Sequence, residues 1–121
     1  MRWLVDGMNV VGSRPDGWWR DRQGAMRRLI DALERFAGAT GDEVAVVFDG
    51  RPFELDGGGR VEVGFRPGGR NAADDAIVEW VGDDAEPASL TVVTSDAELA
   101  RRVRAAGAEV VGAGSFLERL G

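Results

Sequence analysis

Short apolar runs rich in β-branched residues alternate with segments of helical periodicity along the chain, and this alternation limits the possible folds more than any other feature. Strands that alternate with helices form βαβ units, in which right-handed crossovers place helices on both faces of a largely parallel sheet. The sequence therefore predicts an α/β fold. The strands are expected at residues 3–5, 43–48, 90–93 and 109–111, and the helices at residues 21–37, 73–81 and 96–106.

The remaining segments are predicted to be turns, loops, one edge strand and a short final helix. An edge strand is indicated near residues 61–65, because apolar residues alternate there with polar residues or glycine. Gly38 and Gly41 are expected to end the first long helix. The other predicted segments are a turn at 7–12, a loop at 13–19, a turn at 56–59 and a helical turn or two at 115–120.

The composition excludes several classes of chemistry. The 121 residues, which are expected to form a single domain over residues 1–121, include no cysteine, no histidine and no lysine. Serine–histidine and cysteine–histidine catalysis, the usual zinc ligands and lysine-based chemistry are therefore absent. The net charge of −6 argues against bulk attraction to nucleic acid, so polar chemistry must come from carboxylates, amides, hydroxyls and arginines.

Aspartates follow three of the predicted strands at the point where each strand ends. Asp6, Asp49 and Asp96 occupy these positions, and Asp74 and Asp75 lie in the first turn of the helix expected at 73–81. In open parallel sheets, ligands bind outside the carboxyl ends of the strands. The five acids are therefore expected to converge on one edge of the sheet.

Converging carboxylates repel one another, and a divalent cation is the simplest remedy in segments without lysine or histidine. Hard oxygen ligands select Mg²⁺ or Mn²⁺. Each aspartate also has a purely structural explanation. Asp6 and Asp96 are compatible with helix caps, Asp49 with a turn, and the pair at 74 and 75 with favourable charges at a helix N-terminus.

Four segments, in this order, resemble a known family. They are DGMNVVG at residues 6–12, VVFDG at 46–50, NAADDAIVEW at 71–80 and VVTSDAEL at 92–99. Together they are similar to the YacP-like group of NYN domains, within the PIN-like nuclease superfamily. The resemblance implies a three-layer α/β/α sandwich and a divalent-metal-dependent ribonuclease that hydrolyses RNA phosphodiester bonds, with no organic cofactor.

The resemblance also assigns site residues. It implies that Asp6, Asp74 and Asp96 are catalytic acids and that Asn9 is their companion. The role of Asp75 is ambiguous, because members of the family have either one or two acids at this point. Asp49 matches a position that is acidic in the family, but the resemblance does not assign it a role. The candidate metal ligands are thus Asp6, Asp49, Asp74, Asp75 and Asp96, with Thr94 and Ser95 supporting them by hydrogen bonds.

RNA would need a basic and aromatic approach to this acidic edge. Trp18 and Trp19 are candidates for stacking on bases, although they could instead pack the following helix against the core. The candidate phosphate-binding residues are Arg14, Arg20 and Arg22 near the first loop, and Arg66 and Arg70 before the middle helix.

Three alternatives remain open for function. One is a nonenzymatic RNA- or ribosome-binding module of the same fold, and another is a PIN-type toxin held inactive by a partner. A phosphotransferase is disfavoured, because position 8 is methionine where an aspartyl-phosphate enzyme would want a second acid. No signal peptide and no membrane span are expected, which favours a cytoplasmic location.

Overall fold

The computed structural model describes residues 1–55, 59–69 and 71–121. Within these residues, five strands form one parallel sheet in the order β3-β2-β1-β4-β5. The strands are β1 (Arg2–Asp6), β2 (Glu43–Asp49), β3 (Val61–Arg66), β4 (Leu90–Val93) and β5 (Glu109–Val111). The helices are α1 (Gly7–Gly12), α2 (Arg22–Thr40), α3 (Ala72–Asp83), α4 (Ala97–Ala105) and α5 (Ala113–Leu120), with short 3₁₀ turns at Trp18–Arg20 and Pro87–Ser89.

Helices cover both faces of the sheet, which confirms the three-layer α/β/α architecture. Successive side chains of a strand point to opposite faces, so Trp3 and Val5 of β1 belong to one core and Leu4 to the other. The first core is closed by α1, α2 and α5. The second core is closed by α3 and α4. Buried on both faces, the central strands read as continuous apolar runs, which is why the sequence revealed them.

Two predicted boundaries were wrong. Residues 7–12 form the short helix α1 instead of a turn, because a helical turn directly after β1 buries Val10 and Val11 in the first core. Gly38 does not end α2. That helix continues to Thr40 and ends at Gly41, whose φ of +75° suits glycine and whose N–H donates to the Ala37 carbonyl.

The other predicted strands and helices were confirmed, with ends that move by a few residues. The strand at 61–66 lies at one edge of the sheet, as expected. The turn predicted at 56–59 falls mostly outside the described residues. No helix in the described ranges is long and apolar enough to cross a membrane.

Candidate active site

The order of the strands reverses between β1 and β4. The chain passes from β1 outward through β2 to β3 and then returns to β4 on the other side of β1. Such a switch point opens a crevice at the carboxyl ends of the strands. An open pocket of about 990 Å³ lies there, and its lining residues are Asp6, Met8, Asn9, Trp18, Arg22, Asp49, Gly50, Gly69, Asn71, Asp74 and Asp96.

Asp6 ends β1 and is the most buried acid of the pocket, with only 5% of its surface exposed. Its Oδ2 accepts a hydrogen bond of 2.9 Å from the Oγ1 hydroxyl of Thr94, which follows β4. Burial raises the pKa of Asp6 to about 7, and the carboxylates of Asp74 and Asp49 add to this rise. The hydrogen bonds from Thr94 and from the Asn9 backbone act in the opposite direction. Asp6 therefore holds its charge at a cost.

The segment after β4 positions a second acid. The Thr94 hydroxyl accepts a hydrogen bond of 3.1 Å from the Asp96 backbone N–H. Asp96 also caps α4, because its Oδ1 accepts a hydrogen bond of 2.9 Å from the Leu99 N–H. The capping role considered from the sequence is thus present, but it does not remove Asp96 from the pocket, which it lines.

Asn9 is held by the same segment. Its Oδ1 accepts a hydrogen bond of 2.8 Å from the Ser95 backbone N–H, and the Ser95 hydroxyl accepts one of 2.9 Å from the N–H of Ala113 in α5. With Oδ1 occupied, Asn9 has the two N–H donors of its Nδ2 left for a ligand, since they donate to no group in the described part of the chain. Asn9 is therefore a hydrogen-bond donor on the pocket wall.

The third and fourth acids meet at the start of α3. The Asn71 side chain, directly before this helix, makes no capping hydrogen bond, and Asp49 of β2 supplies one instead through a 3.1 Å bond from the Ala73 N–H to its Oδ1. Asp74 follows in the first turn. Its pKa is raised by partial burial and by the charges of Asp96 and Asp49, with Arg102 partly offsetting the rise.

Asp75, next to Asp74 in the sequence, is placed differently. Adjacent helical residues differ in direction by about 100°, so the two side chains cannot share one surface. The Asp75 carboxylate is 65% exposed, accepts a hydrogen bond of 3.0 Å from Arg102 Nη2 and is absent from the pocket lining. Of the two adjacent acids, the structure brings only Asp74 to the other three.

The donor set of this pocket suits a hard divalent cation. In the described residues, no three acidic side chains lie close enough together to hold one metal ion directly. Mg²⁺ nevertheless keeps several of its waters and is usually bound through one or two carboxylates. Four carboxylates share this pocket, and the pKa values of Asp6 and Asp74 are raised. This arrangement is compatible with an Mg²⁺ ion that keeps most of its waters.

The family follows from a sequence comparison. The model of the YacP-like NYN domain matches residues 3–121. This chain belongs to the YacP-like NYN family. The family is PIN-like and nuclease-like, which supports a ribonuclease that acts on RNA at the level of the family. A search of curated proteins found no match.

Two solved structures share the fold of this NYN domain. The crystal structure of Rae1 (YacP) from Bacillus subtilis has a TM-score of 0.82 and 27% sequence identity, and the match covers 99% of this chain and 73% of that one. The W164L mutant of the same Bacillus subtilis protein has a TM-score of 0.81 and 27% identity, covering 98% of this chain and 74% of the mutant.

The aromatic residues predicted for RNA binding divide into two environments in this NYN domain. Trp18 lines the pocket and also packs against the first core, as the structural alternative predicted. Trp19 is 61% exposed, and the guanidinium of Arg20 lies over its ring, 5.8 Å from the centroid. Arg22 is the one basic residue among the described residues of the pocket lining.

Two of the arginines predicted to bind phosphates, Arg14 and Arg66, are absent from the lining of the acidic pocket. Arg14 lines a separate small crevice with Asp16 and Arg28. Arg66, at the end of the edge strand β3, lines a groove beside Trp80 of α3. Arg70 lies outside the described residues. Asn71 also lines the pocket and was not predicted from the sequence, although its position directly before the acidic turn of α3 was a usable signal.

Proposed function

We propose that this NYN domain is a cytoplasmic, divalent-metal-dependent endoribonuclease that hydrolyses RNA phosphodiester bonds in the acidic pocket. One observation carries the proposal. Four carboxylates from β1, β2, α3 and the segment after β4 line one pocket, and the buried Asp6 has its pKa raised to about 7. A fold gains no stability from this repulsion, so the arrangement favours a site that binds a cation.

Asp6, Asp49, Asp74 and Asp96 are the residues that would hold Mg²⁺ or Mn²⁺, directly or through water. When bound, the ion would lower the pKa of an attacking water and stabilise charge on the leaving oxygen. Asp49 has a second task, because it caps α3 and so sets the position of Asp74.

The other polar groups bind and orient the RNA backbone. Asn9 offers its Nδ2 donors to a phosphate oxygen, and Arg22 brings a planar cation to the same pocket. Thr94 and Ser95 hold Asp6 and Asn9 in place through the hydrogen bonds described above. The pocket is open and not enclosed, which admits an internal segment of an RNA chain and favours endonucleolytic action.

Asp74 and Asp75 give a matched pair for the test. A 5′-labelled single-stranded RNA is incubated with the wild type, Asp74→Asn and Asp75→Asn, each with EDTA, Mg²⁺ or Mn²⁺. We expect metal-dependent internal cleavage by the wild type, a loss of about 100-fold or more in Asp74→Asn, and nearly full activity in Asp75→Asn, whose exposed ion pair contributes little.

The alternative is a nonenzymatic RNA- or ribosome-binding module. RNA presented on a translating ribosome is therefore tested beside naked RNA. Metal-independent RNA binding with no cleavage of either substrate would contradict the nuclease proposal and support the binding module.

A further inference from the structure

Trp19 is unusual in its exposure. In the described residues it and Met1 are the two large apolar side chains that are exposed, at 61% and 65%. Tryptophan is a costly residue to leave in water, because its ring carries a large apolar area. Its neighbour Trp18 lines the acidic pocket, and the edge-to-face contact between the two rings places Trp19 directly beside that pocket residue.

The local backbone holds Trp19 in place. The 3₁₀ turn at Trp18–Arg20 starts after Gly17, whose φ of +73° is left-handed, and ends at Asp21, which caps α2 through a 3.0 Å bond from the Gly24 N–H. The Arg20 N–H also donates to the Gly17 carbonyl over 3.0 Å. A ligand that stacks on this ring would therefore not have to order the loop first.

The two tryptophan rings do not stack on each other. Their centroids are 6.1 Å apart and their planes are nearly perpendicular, at 88°. The guanidinium of Arg20 lies over the Trp19 ring and brings a positive charge beside it. An aromatic ring with an adjacent arginine is the combination that binds a nucleobase and the phosphate next to it.

Charge explains why RNA would need such a contact here. The chain carries a net charge of −6, and the described lining of the pocket holds four carboxylates and a single basic residue, Arg22. Long-range attraction to phosphates is therefore weak. Base stacking on an aromatic ring does not depend on net charge and tolerates any base, since every base has a π-face.

We propose that Trp19 and Arg20 form a stacking subsite for an unpaired nucleobase that flanks the nucleotide whose phosphate enters the acidic pocket. This inference rests on the proposed function, because it assumes that the acidic pocket is where the RNA phosphate binds. Purines stack over a larger area than pyrimidines, so the subsite favours a purine. Trp19 and Arg20 act on substrate binding and not on the bond that is cleaved.

The test combines protein variants with an abasic scan of the RNA. Cleavage of a labelled oligoadenylate is measured for the wild type, Trp19→Ala, Trp19→Leu and Trp19→Phe. We expect Trp19→Ala and Trp19→Leu to raise KM about 10-fold with kcat unchanged, and Trp19→Phe to have a smaller effect. Trp80→Phe, a change of the same chemistry on α3 beside a different groove, is expected to leave KM unaltered.

Removal of one base at the right position should reproduce the defect of Trp19→Ala. In the wild type, an abasic site at that position is expected to raise KM about 10-fold, and in Trp19→Ala it should have no further effect. A KM for Trp19→Ala within about twofold of wild type would overturn the subsite. An abasic site that raises KM equally in both proteins would also overturn it. Neither outcome would contradict the proposal that the domain cleaves RNA.

A direct binding measurement separates this proposal from the proposed function. Tryptophan fluorescence is titrated with the same oligoadenylate in EDTA, where cleavage is blocked. Quenching that disappears in Trp19→Phe supports the subsite even if the wild type proves unable to cleave RNA with metal. Equal quenching in Trp19→Phe and wild type counts against it.

Discussion

Thr94 donates a buried hydrogen bond of 2.9 Å to Asp6 and accepts another from the Asp96 backbone, so one hydroxyl joins two of the proposed metal-binding acids. Asp6 and Thr94 lie at the ends of neighbouring strands, since the residues directly before them, Val5 of β1 and Val93 of β4, are paired in the sheet. This contact crosses the switch point of the sheet. It makes the ionisation of Asp6 depend on the segment that also positions Asp96.

Replacement of Thr94 by valine should shift the pH dependence of cleavage. The Thr94 hydrogen bond lowers the pKa of Asp6, so its loss should raise that pKa above about 7. Less Asp6 is then ionised at neutral pH in the metal-free protein. At a subsaturating Mg²⁺ concentration we therefore expect kcat/KM at pH 7 to fall about 10-fold and to recover largely at pH 9. The pH profile of kcat/KM checks this.

Thr94→Ser is the matched control for this change, because it keeps the hydroxyl. Its profile should follow that of the wild type. Identical profiles for Thr94→Val and wild type would show that the Thr94 hydroxyl does not set the ionisation of Asp6.

Asp6→Asn should change how stability depends on pH. The pKa of Asp6 is about 7 in the folded protein against an ordinary 3.8, so the folded state holds the proton more tightly than the unfolded state between these values. Stability from this group is present below pH 4 and is lost as the pH rises to 7. In EDTA, the wild type should lose up to about 4 kcal/mol of this contribution over that range, and Asp6→Asn should lose less.

Urea unfolding at pH 4 and pH 8 measures this difference. Addition of Mn²⁺ at pH 8 should restore stability to the wild type by binding the folded state, and should restore less to Asp6→Asn. If the free energy of unfolding depended equally on pH in both proteins, the raised pKa of Asp6 would be contradicted.

Asn9 should act through its amide N–H groups. Asn9→Asp keeps an oxygen that can accept from the Ser95 N–H, but it replaces the donors with a fifth carboxylate in the pocket. We expect kcat/KM to fall about 100-fold. Folding stability should be retained at low pH, where the new carboxyl is protonated, and should fall at neutral pH through charge repulsion. Asn9→Ala, which also breaks the bond to Ser95, should lose both activity and roughly 1 kcal/mol of stability.

Cleavage kinetics and thermal unfolding of the two variants separate these effects. If Asn9→Asp retained wild-type activity, Asn9 would be a purely structural link between α1 and the segment after β4.

Asp49 should show its capping role in a comparison of alanine with asparagine. Asp49→Ala removes the acceptor of the Ala73 N–H and should destabilise the protein by about 1 kcal/mol, whereas Asp49→Asn can keep the hydrogen bond. The loss of a nearby charge in Asp49→Asn should also lower the pKa values of Asp6 and Asp74.

Thermal unfolding tests the cap, and Mn²⁺ titration by calorimetry tests the charge. Weaker metal binding in both variants would confirm Asp49 as a ligand. Full metal binding in Asp49→Asn would leave the residue with its capping role alone.

Much of the fold was predictable because its signals are local. Residues 44–48 are apolar throughout, and residues 90–93 are apolar except for the buried Thr91, since strands covered on both faces have no solvent-facing side. The short helix α1 was missed because six residues carry too little periodicity, and its burial of Val10 and Val11 depends on the rest of the core.

The positions of Asp6, Asp49 and Asp96 along the chain were enough to predict that they meet at one edge, because each follows a strand and parallel strands end on the same side. The packing of α3 was needed to show that Asp74 faces them while Asp75 pairs with Arg102. The rotation of α3 is set by the burial of its apolar side chains against the sheet, and a rotation of about 100° would bring Asp75 to the direction that Asp74 now has. Two adjacent aspartates therefore acquire different environments only when packing against the sheet fixes the orientation of the helix.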